Sequence, residues 1–209
     1  MALKDLKSDL SKFRRPIEKP LVDMRFQYAK PPKRVPQVLT HSEAILVIEH
    51  LKGVHQLIGA LMYGAGLRIS EVLKLRIKDF DFTRQTIFVF RSKGKKDRVT
   101  LFPVKLHDLV KERIELVKKI HQRDINEGFG LTSLPPALIR KYGNAAAQFF
   151  WQYLFISTTR CMHPYDDYVC RHHLHQTTFR KALKEAVCRA EIPKHITSHT
   201  FRHSFATRL

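Results

Sequence analysis

The sequence predicts a mixed α/β (α+β) domain, mainly helical with a small antiparallel sheet, and three observations carry that reading. A capped amphipathic helix opens at Thr40, and the apolar period then switches from helical to alternating between Asp79 and Phe102. Two more amphipathic helices close the chain, over Thr177–Arg189 and from His199 onward. A hydrophobic content of 44% supplies enough apolar surface for one good-sized core in 209 residues, so the chain is not a disordered basic tail.

Residues 1–38 read as a basic arm and linker. Pro16, Pro20, Pro31, Pro32 and Pro36 discourage continuous helix, and Lys33 and Arg34 beside the proline pair suit an extended segment lying along phosphates. A plain tether is the simpler alternative. The folded body, 39–209, opens with the capping box Thr40-x-x-Glu43 ahead of Ala44, Ile45, Val47, Ile48 and Leu51. A buried helix over Leu57–Tyr63 stops at Gly64-Ala65-Gly66. Arg68 follows among apolar neighbours, where its guanidinium needs a partner; Glu71, one turn on, can supply one and leave donors for a ligand. An Arg–Glu pair without a ligand fits the pattern too.

Strands are expected at Thr86–Phe90 and Arg98–Phe102, around the turn Arg91–Asp97 with Lys93, Lys95 and Lys96. A lysine on such a turn can reach a phosphate or donate a proton, although most lysine-rich turns are merely solvated. Val104–Gln122 reads as a long helix. Leu134–Phe155 starts with a Pro-initiated helical turn, breaks at Gly143-Asn144 and ends in an aromatic run fit for a buried strand. Arg160–His175 is loop-like and ends in Arg171, His172, His173 and His175; with Cys161, His163 and Cys170 it invites a zinc site. The spacings match no two ordered ligand pairs, so no metal is expected. In the last helix Phe201, Phe205 and Leu209 share one side, and His199, Arg202 and His203 project from the other. Arginine offers a planar fork of donors that fits phosphate, and histidine exchanges a proton near neutral pH.

Net charge +19 and a pI near 10.1 point to a polyanion, with nucleic acid first. No stretch is apolar enough to span a membrane, no secretory core opens the chain, and three cysteines make no even disulfide framework; a cytoplasmic protein is expected. A basic RNA-binding protein is a competing reading, and it predicts that Arg68 and Arg202 lie far apart.

Gly66-Leu-Arg68-Ile-Ser-Glu71, the Lys93-Gly-Lys95 hairpin and His199-x-x-Arg202-His203 occur in the order seen in tyrosine recombinases, the phage integrase family, which this chain resembles from about Pro16 to Leu209. Leu134–Phe155 with Arg171, His172 and His173 resembles the insertion of integron integrases, placed near 131–175. The resemblance implies DNA integration and recombination through a 3′-phosphotyrosine, with no cofactor. Arg68 and Arg202 would hold the scissile phosphate, Glu71 and His203 support them, Lys93 protonate the leaving oxygen and His199 relay a proton. Lys33, Arg34, Lys95, Lys96, Arg171, His172 and His173 would contact DNA, including folded single-stranded sites. All six tyrosines precede Arg202, whereas the family places its nucleophile beyond that helix, and most of the family's N-terminal domain has no counterpart. The expectation is a C-terminally truncated catalytic domain unable to cleave alone. It would act as a homo-oligomer or beside an intact recombinase; a non-catalytic DNA-binding remnant is the alternative.

Overall fold

Thr40 begins the body as the capping box predicts. Its hydroxyl accepts from the Glu43 amide, while the Glu43 carboxylate accepts from the Thr40 amide. In the computed structural model, which describes residues 37–90, 96–163 and 166–207, helix α1 then runs His41–His50 and buries Ala44, Val47 and Ile48. Helix α2, Val54–Gly64, is more apolar and lies at the centre of the core, with Ile58, Leu61 and Met62 fully enclosed. It ends where the sequence places a glycine break. Gly66 turns the chain in the left-handed region (φ 61°), a conformation that a Cβ disfavours. The short helix α3, Ile69–Leu73, follows.

The period switch produces three antiparallel strands in sequence order: β1 (Phe80–Asp81), β2 (Thr86–Val89) and β3 (Arg98–Leu101). Ile87 and Val89 point into the core, whereas Phe88 stands exposed opposite Val99. On β3 the alternation puts Arg98 and Thr100 on the half-buried face, and Thr100 Oγ1 donates to the Ala65 carbonyl (2.9 Å). That bond fastens the sheet to the Gly66 turn.

A 3₁₀ turn at Val104–Leu106 leads into α4, His107–Asn126, which ends four residues beyond the expected Gln122. Its end is set by Gly128 (φ 82°), with the Phe129 amide donating to the Asp124 carbonyl (2.7 Å). Helix α5, Pro136–Tyr142, has proline in its first turn as expected. The aromatic run after it differs from the expected strand. Phe149–Trp151 is a 3₁₀ turn, and the extended residues beyond pair only through isolated bridges, Arg76 with Tyr153 and Ile156 with His173. Arg76, distant in sequence, sends its guanidinium to the carbonyls of Trp151 and Ser133 and to the Tyr153 hydroxyl, and the extended residues exchange single backbone bonds with Leu75, Ile77, His172 and Leu174. The loop expected at Arg160–His175 contains a two-residue antiparallel pair, β4 (Cys161–Met162) and β5 (Val169–Cys170).

Helices α6 (Gln176–Arg189) and α7 (Ser198–Ala206) complete the body. Phe179, Leu183 and Ala186 of α6 and Phe201 of α7 join the main core with α1, α2 and α3. Full burial of a side chain such as Phe201 contributes roughly 2–3 kcal/mol. Phe205 is partly covered, α7 stops at Ala206, and Leu209 lies outside the described residues. Smaller clusters form after α4, one around Leu134, Ala145 and Trp151 and one that joins Tyr153 and Ile156 to Val117 of α4. Among the described residues no helix is long and apolar enough to cross a membrane.

Candidate functional site

Glu71 is the residue on which the site converges. It sits in α3 with its side chain only 7% exposed, and three arginines from separate elements approach its carboxylate. Arg68, from the turn ahead of α3, holds both oxygens: its amide donates to Oε2 (2.8 Å) and its Nη1 to Oε1 (2.7 Å). Arg98, from β3, donates through Nη2 to Oε2 (2.8 Å). Arg202, from α7, lies with Nη1 3.7 Å from Oε2, an ion pair outside hydrogen-bonding range. The hydrogen bond that fixes Arg202 runs instead from Nη1 to the Gly66 carbonyl.

Local sequence explains each placement. The glycine break ends α2 and turns Arg68 toward α3, whose i,i+3 spacing sets Glu71 beneath it. Strand alternation aims Arg98 inward. Helix α7 is seated by Phe201 in the core and by Ser204, whose Oγ accepts from the Leu39 amide (2.8 Å) and donates to the Thr200 carbonyl (2.8 Å). The ring of Phe205 covers Gly66 so closely that a Cβ there would lie 2.3 Å from its Cδ1. Glycine is therefore required at this position twice over, by its backbone angle and by the ring above it.

Electrostatics decide what such a cluster can do. Burial pushes the Glu71 carboxyl up, but hydrogen bonds from Arg68 and Arg98 outweigh it and hold the group below the usual carboxylate range. For Arg202, burial first and the nearby Arg68 charge second pull the guanidinium down, with Glu71 opposing and Arg98 adding. Three cations thus surround one anion, and each arginine is about a quarter to a third exposed. The surplus positive charge, partly desolvated and rich in planar donors, is suited to a tetrahedral oxyanion.

The structure brings together Arg68, Glu71 and Arg202 of the residues singled out from sequence. This removes the ground of the RNA-binding reading, which needs the two arginines far apart. His199 and His203 are exposed on α7 on either side of Arg202, and Lys96 is exposed at the foot of β3. Lys33, Arg34, Lys93 and Lys95 lie outside the described residues. Arg171, expected at a DNA surface, is engaged with α4 and the chain before β4: Nε and Nη2 hold Asp124 (2.6 and 2.7 Å), and Nη1 holds the Ser157 and Thr158 carbonyls. His172 and His173 are partly buried against Tyr153, and burial together with neighbouring positive groups takes His172 down to about 4, so it is neutral at pH 7. Of the tyrosines, Tyr63 and Tyr153 are buried and bonded to His41 and Arg76, Tyr142 is exposed, and Tyr168 stacks on His163. Tyr28 and Tyr165 lie outside the described residues.

Sequence reasoning missed Arg98 and Arg76. The signal for Arg98 was present, since a strand whose Val99 and Leu101 face one way must send Arg98 and Thr100 the other. Arg76 was signalled by a charge inside Leu73–Ile77 with Asp79 three residues on, whose carboxylate accepts the Arg76 amide (2.8 Å).

Comparison with known proteins follows the same lines. The sequence pattern of the phage integrase family matches residues 31–209. An integrase/recombinase of Escherichia coli is 42% identical over 180 residues, covering 86% of this chain and 53% of that protein. A crystal structure of XerA recombinase superposes with a TM-score of 0.57 at 22% identity, covering 85% of this chain and 52% of the other. XerH site-specific recombinase bound to palindromic difH substrate, in a post-cleavage complex, gives 0.53 at 20% identity over 85% and 42%. At those identities the structural likeness is one of fold. The chain spans about half the length of the relatives it matches.

Proposed function

The chain belongs to the phage integrase family, and from that premise we propose that it is the phosphate-gripping part of a tyrosine recombinase acting in DNA integration and recombination. The observation that carries the reading is the meeting of Arg68 and Arg202 at one buried carboxylate with a third arginine alongside. Two planar donor groups fixed before the substrate arrives stabilise the extra negative charge that develops at phosphorus, and they need no reorganisation to do so. Glu71 orients the pair. Lys93 is assigned the proton for the leaving 5′-oxygen and His199 a hydrogen-bonding and relay role beside Arg202. The net charge of +19 supports DNA as the partner, and three cysteines without an even framework support a reducing, cytoplasmic site of action.

The insertion is assigned the choice of substrate, a folded single-stranded site of the integron type. Arg171 then acts by tying the insertion to Asp124 of α4, and His172 and His173 by bonding within it to Ser133 and Leu174. In-line attack needs a nucleophile held at the phosphate, and each of the six tyrosines precedes Arg202 in the chain. The 209 residues are assigned DNA binding; strand cleavage by them would require one of these six tyrosines to reach the phosphate.

Two measurements test this. A suicide substrate nicked near the cleavage point, analysed by denaturing electrophoresis, should give no covalent band with this chain; a shifted band would show that one of the six tyrosines serves. In salt titrations of binding, each neutralised phosphate contributes roughly −0.9 to the log–log slope on duplex and about −0.7 on single strands. A flat response would overturn the electrostatic reading, and equal affinity for bulged and plain DNA would remove the role given to the insertion.

A further inference from the structure

We infer that Arg98 is a positioning residue of the phosphate site, whose hold on Glu71 Oε2 keeps Arg202 from closing onto that carboxylate. The inference rests on the proposed phosphate role of Arg68 and Arg202 and extends it to a residue on a different element.

Glu71 Oε1 is engaged by Arg68, and Oε2 receives the Arg68 amide and Arg98 Nη2 at 2.8 Å each. Arg202 Nη1 waits at 3.7 Å from the same Oε2 while its hydrogen bond goes to the Gly66 carbonyl. A cation so near a buried carboxylate closes on it when the competing donor is removed, since an ionised, desolvated acceptor gains from each charged donor. Arg202 would then spend its guanidinium on Glu71 and offer less of it to a phosphate. With Arg98 in place, Oε2 already accepts two donors, and the carboxylate holds three arginines near one another.

Placement supports the assignment. Arg98 Nε is buried with no hydrogen-bond partner among the described residues, so its Nη2 contact with Glu71 is what accounts for the side chain's position. Thr100, two residues along the same face, anchors β3 to the Ala65 carbonyl, which fixes how far Arg98 reaches. Arg98 is the first residue of β3 and stands five positions after Lys93 in the sequence.

The test is a double-mutant cycle on the full 209-residue chain, read by fluorescence anisotropy with a labelled nicked duplex at fixed low salt. Arg98→Ala should weaken binding by roughly tenfold, the size of one charge-assisted contact. In an Arg202→Ala background the same change should alter affinity by less than about twofold, because no Arg202 remains to be captured. Arg98→Lys, which keeps a charged donor for Oε2, should recover much of the loss. A merely structural role would show equal losses in both backgrounds with no recovery by lysine, and that result would overturn the inference while leaving Arg202 as a phosphate ligand. Full affinity in Arg202→Ala itself would overturn the phosphate site first, and this inference with it. If Arg98→Ala fails to fold, Arg98→Lys and Arg98→Gln replace it in the cycle, lysine being expected to couple to Arg202 more weakly than glutamine. The opposite order would refute the mechanism.

Discussion

Replacing Gly66 with alanine should damage this protein by two separable routes, and their sizes follow from the structure. The backbone there has φ 61°, where a Cβ costs roughly 1–2 kcal/mol. The new Cβ would also lie 2.3 and 2.5 Å from Cδ1 and Cε1 of Phe205, so the ring has to move. Forcing a packed group aside typically costs about 1–3 kcal/mol, which brings the total to about 2–5 kcal/mol. For a domain of this size that corresponds to a fall in Tm of roughly 5–15 °C. Gly128→Ala is the control, since it has φ 82° but nothing within 4 Å of the added carbon, and it should show the backbone cost alone. Gly66→Ala combined with Phe205→Ala should be less destabilised than the two single effects predict, because the truncated residue leaves room for the Cβ. DNA affinity should fall with Gly66→Ala and not with Gly128→Ala, because the Gly66 carbonyl holds Arg202. Thermal unfolding by circular dichroism and anisotropy titration provide both readings. A Gly66→Ala protein no less stable than Gly128→Ala, with unchanged DNA binding, would refute the reasoning.

Arg76→Met should destabilise by about 3–5 kcal/mol, because it strands the acceptors of Trp151, Ser133 and Tyr153 that the buried guanidinium satisfies. Fluorescence of Trp151, the one tryptophan, should report loosening of the insertion at denaturant concentrations where far-UV dichroism still shows the helices intact. His172 should make the fold acid-sensitive. Its folded pKa of about 4 lies below an unfolded value near 6.5, so the unfolded chain takes the proton first. Its contribution is present above about pH 6.5 and is lost as pH falls toward about 4. After solvent screening the loss is on the order of 2 kcal/mol. His172→Gln should flatten that limb of a stability–pH curve, though only in part, because burial lowers His55, His121 and His173 in the same direction.

Legibility in the sequence followed the range of the interactions. The Thr40 cap, the proline start of α5 and the period-2 strands depend on neighbours within four residues, and all are readable from the chain. Glu71 as partner of Arg68 was readable for the same reason. The strand expected after Phe149 was not, because what that segment meets, Arg76 at the Trp151 carbonyl and single backbone bonds to Leu75 and Ile77, lies more than seventy residues away. Likewise nothing local to Arg171 announces Asp124 as its acceptor, so a basic residue beside histidines looked like a surface for DNA. Phe205 above Gly66 is another such pair. The ring's helical spacing predicts that it faces inward, but only the folded chain shows what it meets.

The span of the Arg202–Gly66 bond, 136 residues, and of the Leu39–Ser204 bond, 165 residues, bears on how the protein is made. Contacts of such long sequence separation form late, because the intervening chain must lose its freedom before they can contribute. A nascent polypeptide that has emerged only through α6 can already hold Arg68 on Glu71, but not the second guanidinium. On the phosphate role proposed above for the two arginines, the grip on phosphate would be completed only when the last helix docks, after the rest of the body has emerged.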